Sequence, residues 1–323
     1  MILACGEALV DMVPGIEAEN PDTYIPCPGG SPYNTAIALG RILGIKNGLC
    51  RTAFLSRLSV DFFGEALVRC LEDNNVSVEL ITRSEENTTL AFVKLEKGKE
   101  PAYIFYTERT ADRCLAPENI PQVLPENINC ILFGSISLLM EPSASSIEKF
   151  IIRESEREEI VISLDPNVRP IMVKNHITYL NRFENWVRSS SIVKISSADI
   201  DFIYPGLNIN AAGEKILGLG PRLVIITLGA GGARAVINRE GIVKNIDSPA
   251  YALNISDTIG AGDTFHGAFL AWLENNKCMS RSTLAVLQEN EIRQALIFAN
   301  KAAAIVCSRK GADPPTLEEI QAF

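Results

Sequence analysis

Short apolar segments alternate with amphipathic segments along most of this chain, and that alternation limits the folds open to it. The segments 2–5, 52–56, 160–164 and 223–227 are apolar almost throughout, and helical patterns lie between most of them. Strands that are apolar on both faces are typical of a parallel sheet covered by helices on both sides. The sequence therefore predicts an α/β fold of three layers, α/β/α, around a mainly parallel sheet.

Residues 88–106 have a different residue pattern from the strand-helix alternation around them. Two aromatic and β-branched runs, 89–95 and 102–106, flank the turn Glu-Lys-Gly-Lys at 96–99, which predicts a β-hairpin. We expect this hairpin and part of the loop before it to form a small β-sheet lid, made from about 12–28 and 88–110. The whole chain, 1–323, is then expected to be a single domain that carries this lid.

The composition argues against several classes of protein. With 47% hydrophobic and 21% charged residues, the 323-residue chain can bury a substantial core. The net charge of −9 argues against a nucleic-acid partner, and no apolar run reaches the ~20 residues of a membrane helix, so we expect neither kind of partner. Residues 1–10 lack the basic segment of a secretory signal peptide. Eight cysteines without a Cys-x-x-Cys pair and only two histidines disfavour disulfides and structural zinc, and we expect reduced thiols in a cytoplasmic protein.

The stretch 257–264, Asp-Thr-Ile-Gly-Ala-Gly-Asp-Thr, comes directly before an apolar helical pattern. Glycines at a helix start leave backbone N–H groups accessible, and the helix dipole adds positive potential there. Gly260, Ala261 and Gly262 therefore predict an anion cradle. Asp263 beside an anion would be repelled unless it accepts a proton from an attacking hydroxyl. The alternative is that Asp263 is a helix N-cap after a tight turn, and the octapeptide leaves both interpretations open.

Polar residues follow several predicted strands, and the carboxyl ends of parallel strands are where such sheets bind ligands. Asp11, Asp165, Lys194 and Thr227 are in such positions. The pair Gly29-Gly30 opens a predicted helix with Ser31 as its cap, and Asn34 lies in its first turn. Glycines admit a ligand close to the backbone, and Asp and Asn bind vicinal hydroxyls. The alternative is a loop acid, a turn and a surface Asn.

Two further loops leave a choice. In the loop 165–170, Arg169 either offsets charge on a transferred phosphoryl group or pairs with a surface acid. The glycine turn 229–232 follows Thr227 but lacks the Gly-x-Gly-x-x-Gly spacing, and an apolar strand comes after it, which disfavours a nicotinamide-dependent oxidoreductase. No Gly-x-x-x-x-Gly-Lys-Ser/Thr segment occurs, so an ordinary P-loop is excluded.

The nine residues 257–265, Asp-Thr-x-Gly-Ala-Gly-Asp-Thr-Phe, resemble the signature of the ribokinase-like (PfkB-type) carbohydrate kinases, and 29–34 resembles the first motif of the same family. The resemblance runs from 6 to 315 and implies a ribokinase-like fold, ATP and Mg2+ as cofactors, a sugar substrate and a homodimer. It also implies the roles of the site residues, which are Asp263 as catalytic base with Gly260, Ala261 and Gly262 as anion hole; Asp11, Gly29, Gly30, Asn34, Arg109 and Arg169 on the substrate; and Lys194, Ser196, Thr227, Gly229, Gly231, Gly232 and Asn300 on the nucleotide.

Within the family the chain looks most like the bacterial fructokinases, through the segments 6–12, 105–106, 110–113, 133–138 and 165–170. This implies phosphorylation of D-fructose to fructose 6-phosphate. A kinase for 2-keto-3-deoxygluconate or ribose, and a sugar-binding regulator that has lost turnover, are the alternatives. The sequence departs from its relatives at Ser59, where Gly is usual, and at 196–199, where Ser-Ser-Ala-Asp replaces an Asn-x-x-Glu that organises Mg2+.

Many of these kinases place K+ beside the anion hole, between the Asp of the Asp-Thr motif and a loop after the last long helix. Asp257 and the stretch 307–314 match those places, which implies a monovalent cation site. The alternative is that Asp257 only caps the turn.

Overall fold

The computed structural model describes residues 1–15, 23–94 and 102–323. Numbered in chain order, its strands are β1 Ile2–Cys5, β2 Leu9–Pro14, β3 Tyr24–Gly29, β4 Ile45–Lys46, β5 Leu49–Cys50, β6 Thr52–Ser59, β7 Val76–Ser77, β8 Ile81–Ser84, β9 Thr89–Lys94, β10 Ala102–Tyr106, β11 Cys130–Gly134, β12 Val161–Asp165, β13 Ile192–Ser196, β14 Leu223–Thr227, β15 Ala233–Arg239 and β16 Ile242–Ser248. Its α-helices are α1 Ser31–Leu43, α2 Phe62–Asp73, α3 Ser143–Ser155, α4 His176–Arg188, α5 Ser197–Ile203, α6 Ile209–Gly218, α7 Ala261–Asn275, α8 Arg281–Val286, α9 Glu289–Cys307 and α10 Leu317–Ala322.

The central sheet of the described residues has the order β16-β15-β14-β13-β12-β11-β1-β6-β7, with β8 paired to β6. All pairs from β14 to β7, and the β6–β8 pair, are parallel. The last two strands, β15 and β16, add an antiparallel edge. The predicted mainly parallel sheet is confirmed.

Helices cover both faces of this sheet because successive side chains of each strand point to opposite sides. In β1, Ile2 and Ala4 pack into a core with residues of α1, α7 and α9. Leu3 and Cys5 pack into a second core with residues of α3, α4 and α6. The predicted three layers are thereby confirmed, and they place the start of α7 at the carboxyl edge of the sheet, where β12 and β13 end.

A separate four-stranded sheet, with the order β10-β9-β2-β3, confirms the expected small sheet, which is called the lid sheet below. Its hairpin turn 96–99 and the segment 16–22 lie outside the described residues, and the single-domain organisation stays a prediction. One placement was wrong. Asp11 does not continue the first strand of the central sheet but lies inside β2, opposite Cys27 of β3 and Ala91 of β9.

The two helices predicted after the glycine segments are present, α1 after Gly29-Gly30 and α7 after Gly260. A search of the described residues for helices with the length and apolarity to cross a bilayer found none.

Candidate active site

The start of α7 has the geometry of an anion cradle. Gly260 is the N-cap, with a φ of 73° in the left-handed region, and the helix begins at Ala261. A Cβ at Gly260 would lie 2.7 Å from the Cβ of Ala312, so both the backbone and the packing require glycine. The first N–H groups of a helix have no acceptor within it, and they can therefore bind an anion.

Asp263 is the third residue of α7, not its N-cap, so the capping interpretation was wrong. Its carboxylate is buried and turned toward α1. Oδ1 accepts a hydrogen bond from the Ser31 hydroxyl at 2.6 Å, and Oδ2 accepts one from the Asn34 amide at 3.0 Å. The first turn of α1 thus holds the carboxylate at the mouth of the cradle, and Asn34 contacts the predicted base itself.

The electrostatics of Asp263 suit proton transfer near neutral pH. Burial raises its pKa to about 6, with a further upward contribution from the charge of Asp165. The hydrogen bonds from Ser31 and Asn34 and the charge of Lys194 act in the opposite direction. A carboxylate with this pKa is ionised at pH 7 yet binds a proton more strongly than an exposed one, which favours general-base catalysis.

The glycine pair before α1 is required by packing. A Cβ at Gly29 would lie 2.1 Å from Oδ2 of Asp11, so that carboxylate lies directly against the Gly29 backbone. Gly30 has a φ of 105°, and its Cβ would be 2.8 Å from the carbonyl oxygen of Glu7. Burial raises the pKa of Asp11 to about 6; Arg169 lowers it and Asp263 raises it. Asp11, Gly29, Gly30 and Asp263 therefore belong to one site.

The positions of the two predicted substrate arginines differ. Arg169 donates to the Asn167 side chain at 2.6 Å, and its charge reaches Asp11 and Tyr103. Arg109 is exposed on the loop after β10 with a φ of 54°, and no described contact joins it to the cluster. Tyr103 was not predicted, although its place in β10, on the same face of the lid sheet as Asp11, follows from strand alternation.

Most of the predicted nucleotide residues lie at or just after the ends of β13 and β14, and Asn300 lies on α9. Thr227 ends β14, and the turn Gly229–Gly231 follows it. A Cβ at Gly232, where φ is 89°, would lie 2.2 Å from the carbonyl oxygen of Ser248. Asn300 is buried, and its amide donates to the carbonyl oxygens of Ser248 and Pro249, both at 3.1 Å. Asn300 therefore anchors the segment that follows β16.

The side chains of Ser196 and Lys194 both bond to aspartates of the protein itself. Ser196 caps α5, and its hydroxyl donates to Oδ2 of Asp199 at 2.7 Å. Oδ1 of Asp199 accepts from the Val168 N–H at 2.8 Å. Lys194 is buried and pairs with Asp165 at 2.8 Å. The segment 196–199 thus fixes the loop after β12.

Asp257 joins the cradle to the loop after α9. Its Oδ1 accepts from the N–H groups of Thr258 at 2.7 Å and Ile259 at 3.0 Å, and its Oδ2 accepts from Gly311 at 3.0 Å. The structure therefore brings Asp257 and the stretch 307–314 together. Over the described ranges, three or more His, Cys, Asp or Glu side chains nowhere gather in a metal-binding group.

Two positioning residues were missed by the sequence reasoning. Ser31 was taken as a helix cap, but its hydroxyl bonds Asp263. Glu7 is 1% exposed, and its carboxylate accepts from the backbone N–H groups of Ser31 at 3.3 Å and Ser137 at 3.1 Å. A glutamate directly after a buried strand was the available signal, because a buried carboxylate needs donors.

A buried carboxylate of raised pKa in the first turn of a helix, next to a second carboxylate in the lid sheet, can accept the proton of a hydroxyl that attacks an anion held at that helix start. The model of the pfkB family carbohydrate kinases matches residues 6–319. The chain belongs to this family and is a carbohydrate kinase with the ribokinase-like fold.

Individual relatives agree with the family. The chain is similar to a fructokinase of Rhizobium leguminosarum bv. trifolii, with 36% identity over 295 residues, which cover 91% of this chain and 86% of that protein. A crystal structure of fructokinase with bound ATP from Xylella fastidiosa has a TM-score of 0.86 and 25% identity, covering 99% and 97% of the two chains. A Vibrio cholerae O395 fructokinase double mutant, in a form with fructose, ADP and potassium, has a TM-score of 0.84 and 26% identity, covering 100% and 97%.

Proposed function

We propose that this protein is an ATP-dependent fructokinase that converts D-fructose and ATP into fructose 6-phosphate and ADP. The observation that carries the proposal is the carboxylate of Asp263, which is held at the anion cradle by Ser31 and Asn34 of α1. The sugar is proposed to be fructose because the Rhizobium and Xylella relatives are fructokinases and the Vibrio enzyme was crystallised with fructose and ADP.

In this mechanism the primary hydroxyl of the sugar donates its proton to Asp263 as its oxygen attacks the γ-phosphorus of ATP. The new O–P bond forms as the bond to the bridging oxygen breaks, and ADP leaves with those electrons. The N–H groups at the start of α7 stabilise the charge on the transferred phosphoryl group. Asp11 and Arg169 orient the sugar, and the lid sheet excludes water that would otherwise accept the phosphoryl group.

Among the described residues, no group of three or more His, Cys, Asp or Glu side chains could hold Mg2+. Asp199, the residue in place of the usual Glu, accepts three hydrogen bonds, from the Val168 N–H and from the N–H and hydroxyl of Ser196, which tie its carboxylate to the loop after β12. Mg2+ commonly enters kinase sites on the phosphates of the nucleotide, keeping several of its waters. We propose that ATP carries Mg2+ here in the same way, with no step of the reaction assigned to a protein ligand of the ion.

A coupled assay of ADP release tests the sugar. Fructose should give the highest kcat/KM among fructose, ribose and 2-keto-3-deoxygluconate. A higher value for either of the other sugars would overturn the fructose assignment. If the protein bound a sugar but released no ADP with any of the three, it would be a sugar-binding regulator that has lost turnover.

A monovalent cation beside the cradle is the third cofactor that we propose. A carboxylate has about four acceptor positions, and Asp257 uses three on N–H groups, which leaves one for a cation such as K+. A bound cation would hold the 307–314 loop against the cradle and add positive potential there.

We expect kcat to be several-fold higher in K+ than in tetramethylammonium at equal ionic strength. Asp257→Asn should remove the difference, because the amide lacks the negative charge that attracts the ion. Glu318→Gln, at an exposed position on α10 outside the 307–314 stretch, is the control and should keep the K+ response. Equal rates of the wild type in the two salts would eliminate the site.

We propose that a second copy of the chain covers the outer face of the lid sheet. The ring of Phe92 lies 5.2 Å from Tyr24 and 5.6 Å from Tyr106, in edge-on contacts. Ile104, opposite Phe92, is 62% exposed and Tyr106 is 60% exposed. An exposed apolar patch of this kind marks an interaction surface, and Asp11 and Tyr103 lie on the opposite face of the sheet.

Sedimentation should give the wild type a mass twice the 35.2 kDa of the chain. Ile104→Glu should give the monomer, because it would bury a charge at the centre of the interface. Ile177→Glu, an equally drastic change at a residue that is 70% exposed on α4, should leave the dimer intact. A monomeric wild type, or a dimeric Ile104→Glu, would exclude this interface.

The eight cysteines are all free, and we propose a cytoplasmic location, where thiols stay reduced.

A further inference from the structure

A buried ion pair lies directly behind the anion cradle. Nζ of Lys194 is 2.8 Å from Oδ2 of Asp165, and the two side chains are only 5% and 4% exposed. A Cβ at Gly262 would be 3.1 Å from the same Nζ. The ammonium group is therefore packed against the backbone of the second residue of α7, and solvent does not screen it.

A histidine beside this pair adds no charge of its own. His266, one turn further along α7, points Nδ1 at Oδ2 of Asp165 from 3.8 Å, and its Nε2 is 2.8 Å from the Ser163 hydroxyl. Burial and the charge of Lys194 hold the pKa of His266 well below its usual value, so the ring is neutral. Oδ1 of Asp165 and Nδ1 of His266 have no hydrogen-bond partner among the described side chains and backbone.

Three charged groups act on Asp263. Asp165, at the end of β12, and Asp11, in the lid sheet, are negative, and Lys194 of β13 is positive. Asp199, at the start of α5, acts on Lys194 but is bonded to the loop after β12. The neutral neighbours are His266 of α7 and the two donors on α1. Charges buried at short range interact far more strongly than the same charges in water.

We propose that Lys194 and Asp165 are positioning residues that set the proton affinity of Asp263, and that the ammonium group of Lys194 supplies fixed positive potential to the cradle without contacting the nucleotide. This inference rests on the proposed phosphoryl transfer with Asp263 as base. It also gives a reason for glycine at 262, since a side chain there would push the lysine away from the cradle.

The two members of the pair have opposite effects, which makes them separable. Asp165 raises the pKa of Asp263, and Lys194 lowers it. Without Lys194, the effect of the Asp165 charge on Asp263 would no longer be offset, and Asp263 would hold its proton to a higher pH. Without Asp165, the unpaired ammonium group would favour the ionised form of Asp263. A purely structural role would not produce shifts of opposite sign.

The experiment compares Lys194→Met, Asp165→Asn and the double variant with the wild type. The acid limb of kcat/KM should move up by about one pH unit in Lys194→Met and down by a similar amount in Asp165→Asn. In the double variant, the acid limb of kcat/KM should lie at a pH between those of the two single variants. Lys215→Met, which removes an exposed ion pair with Glu184 at 3.3 Å, is the matched control and should leave the limb in place.

A second readout does not depend on activity. Carboxyl-13C-labelled aspartate reports the titration of Asp263 by NMR, with Asp263→Asn identifying its signal, and the same opposite shifts are expected. If fructose is not phosphorylated, the sugar assignment fails while this titration still decides the role of the pair. The proposal would be overturned if the pKa of Asp263 moved in the same direction in Lys194→Met and Asp165→Asn, or if it did not move in a folded Asp165→Asn variant. A large rise in KM for ATP in Lys194→Met with an unmoved limb would make Lys194 a nucleotide ligand instead.

Discussion

Replacing Asp263 with asparagine is expected to lower kcat by about 10²–10⁴-fold while the affinities for sugar and ATP stay close to those of the wild type. The amide has nearly the same shape and still reaches α1, but it cannot accept the hydroxyl proton. Steady-state kinetics measures the loss of turnover, and calorimetric titration measures sugar and nucleotide binding separately.

The same variant should be at least as stable as the wild type at pH 8. Because folding raises the pKa of Asp263 from 3.8 to about 6, stability falls as the pH rises through this range, and the full cost of ionising the buried group remains at pH 8, where a neutral amide does not carry it. A thermal melt at pH 8 therefore separates lost chemistry from lost structure. Asp201→Asn, at an exposed position on α5, is the control and should keep full activity. If Asp263→Asn retained more than half of the wild-type kcat, Asp263 would not be the base.

Asp11→Ala should reduce kcat/KM for fructose by about 10- to 100-fold, the loss expected for a hydrogen bond to a charged group worth about 1.5–3 kcal/mol. The effect should appear mainly as a raised KM for the sugar, with KM for ATP nearly unchanged, because Asp11 lies in the lid sheet against Gly29. Glu108→Ala, at an exposed position just after β10, is the matched control and should bind fructose normally.

Initial rates at varied fructose and varied ATP measure the two KM values. An equal rise in KM for fructose and for ATP would indicate a folding defect and remove Asp11 from the sugar site. Asp11→Asn refines the result, since it keeps the shape and one acceptor oxygen while losing the charge. The decrease in kcat/KM for fructose should be smaller in Asp11→Asn than in Asp11→Ala.

The local features of the site could be predicted from the sequence. The glycines at 260 and 262 and the apolar run after them indicated a helix start with accessible N–H groups, and α7 begins at Ala261. The apolar segments likewise indicated a parallel sheet between two layers of helices, because strand and helix periodicity is encoded within a few neighbouring residues.

The partners of the polar side chains depended on contacts between distant parts of the chain. Ser31 and Asp263 are 232 residues apart in sequence, and their hydrogen bond exists only because α1 and α7 pack side by side on the sheet. Asp11 was assigned to the end of the first strand, but backbone pairing with β3 and β9 places it in the lid sheet.

The sequence by itself determined the class of fold, the helix start with accessible N–H groups, and the presence of a carboxylate in the first turn of that helix. Only the tertiary structure decided that Asn300 anchors the backbone after β16, that Lys194 is buried against Gly262, and that the pKa of Asp263 is raised. The physical reason is that backbone conformation follows mainly from local residue types, whereas burial and charge coupling are set by elements that meet across the sheet.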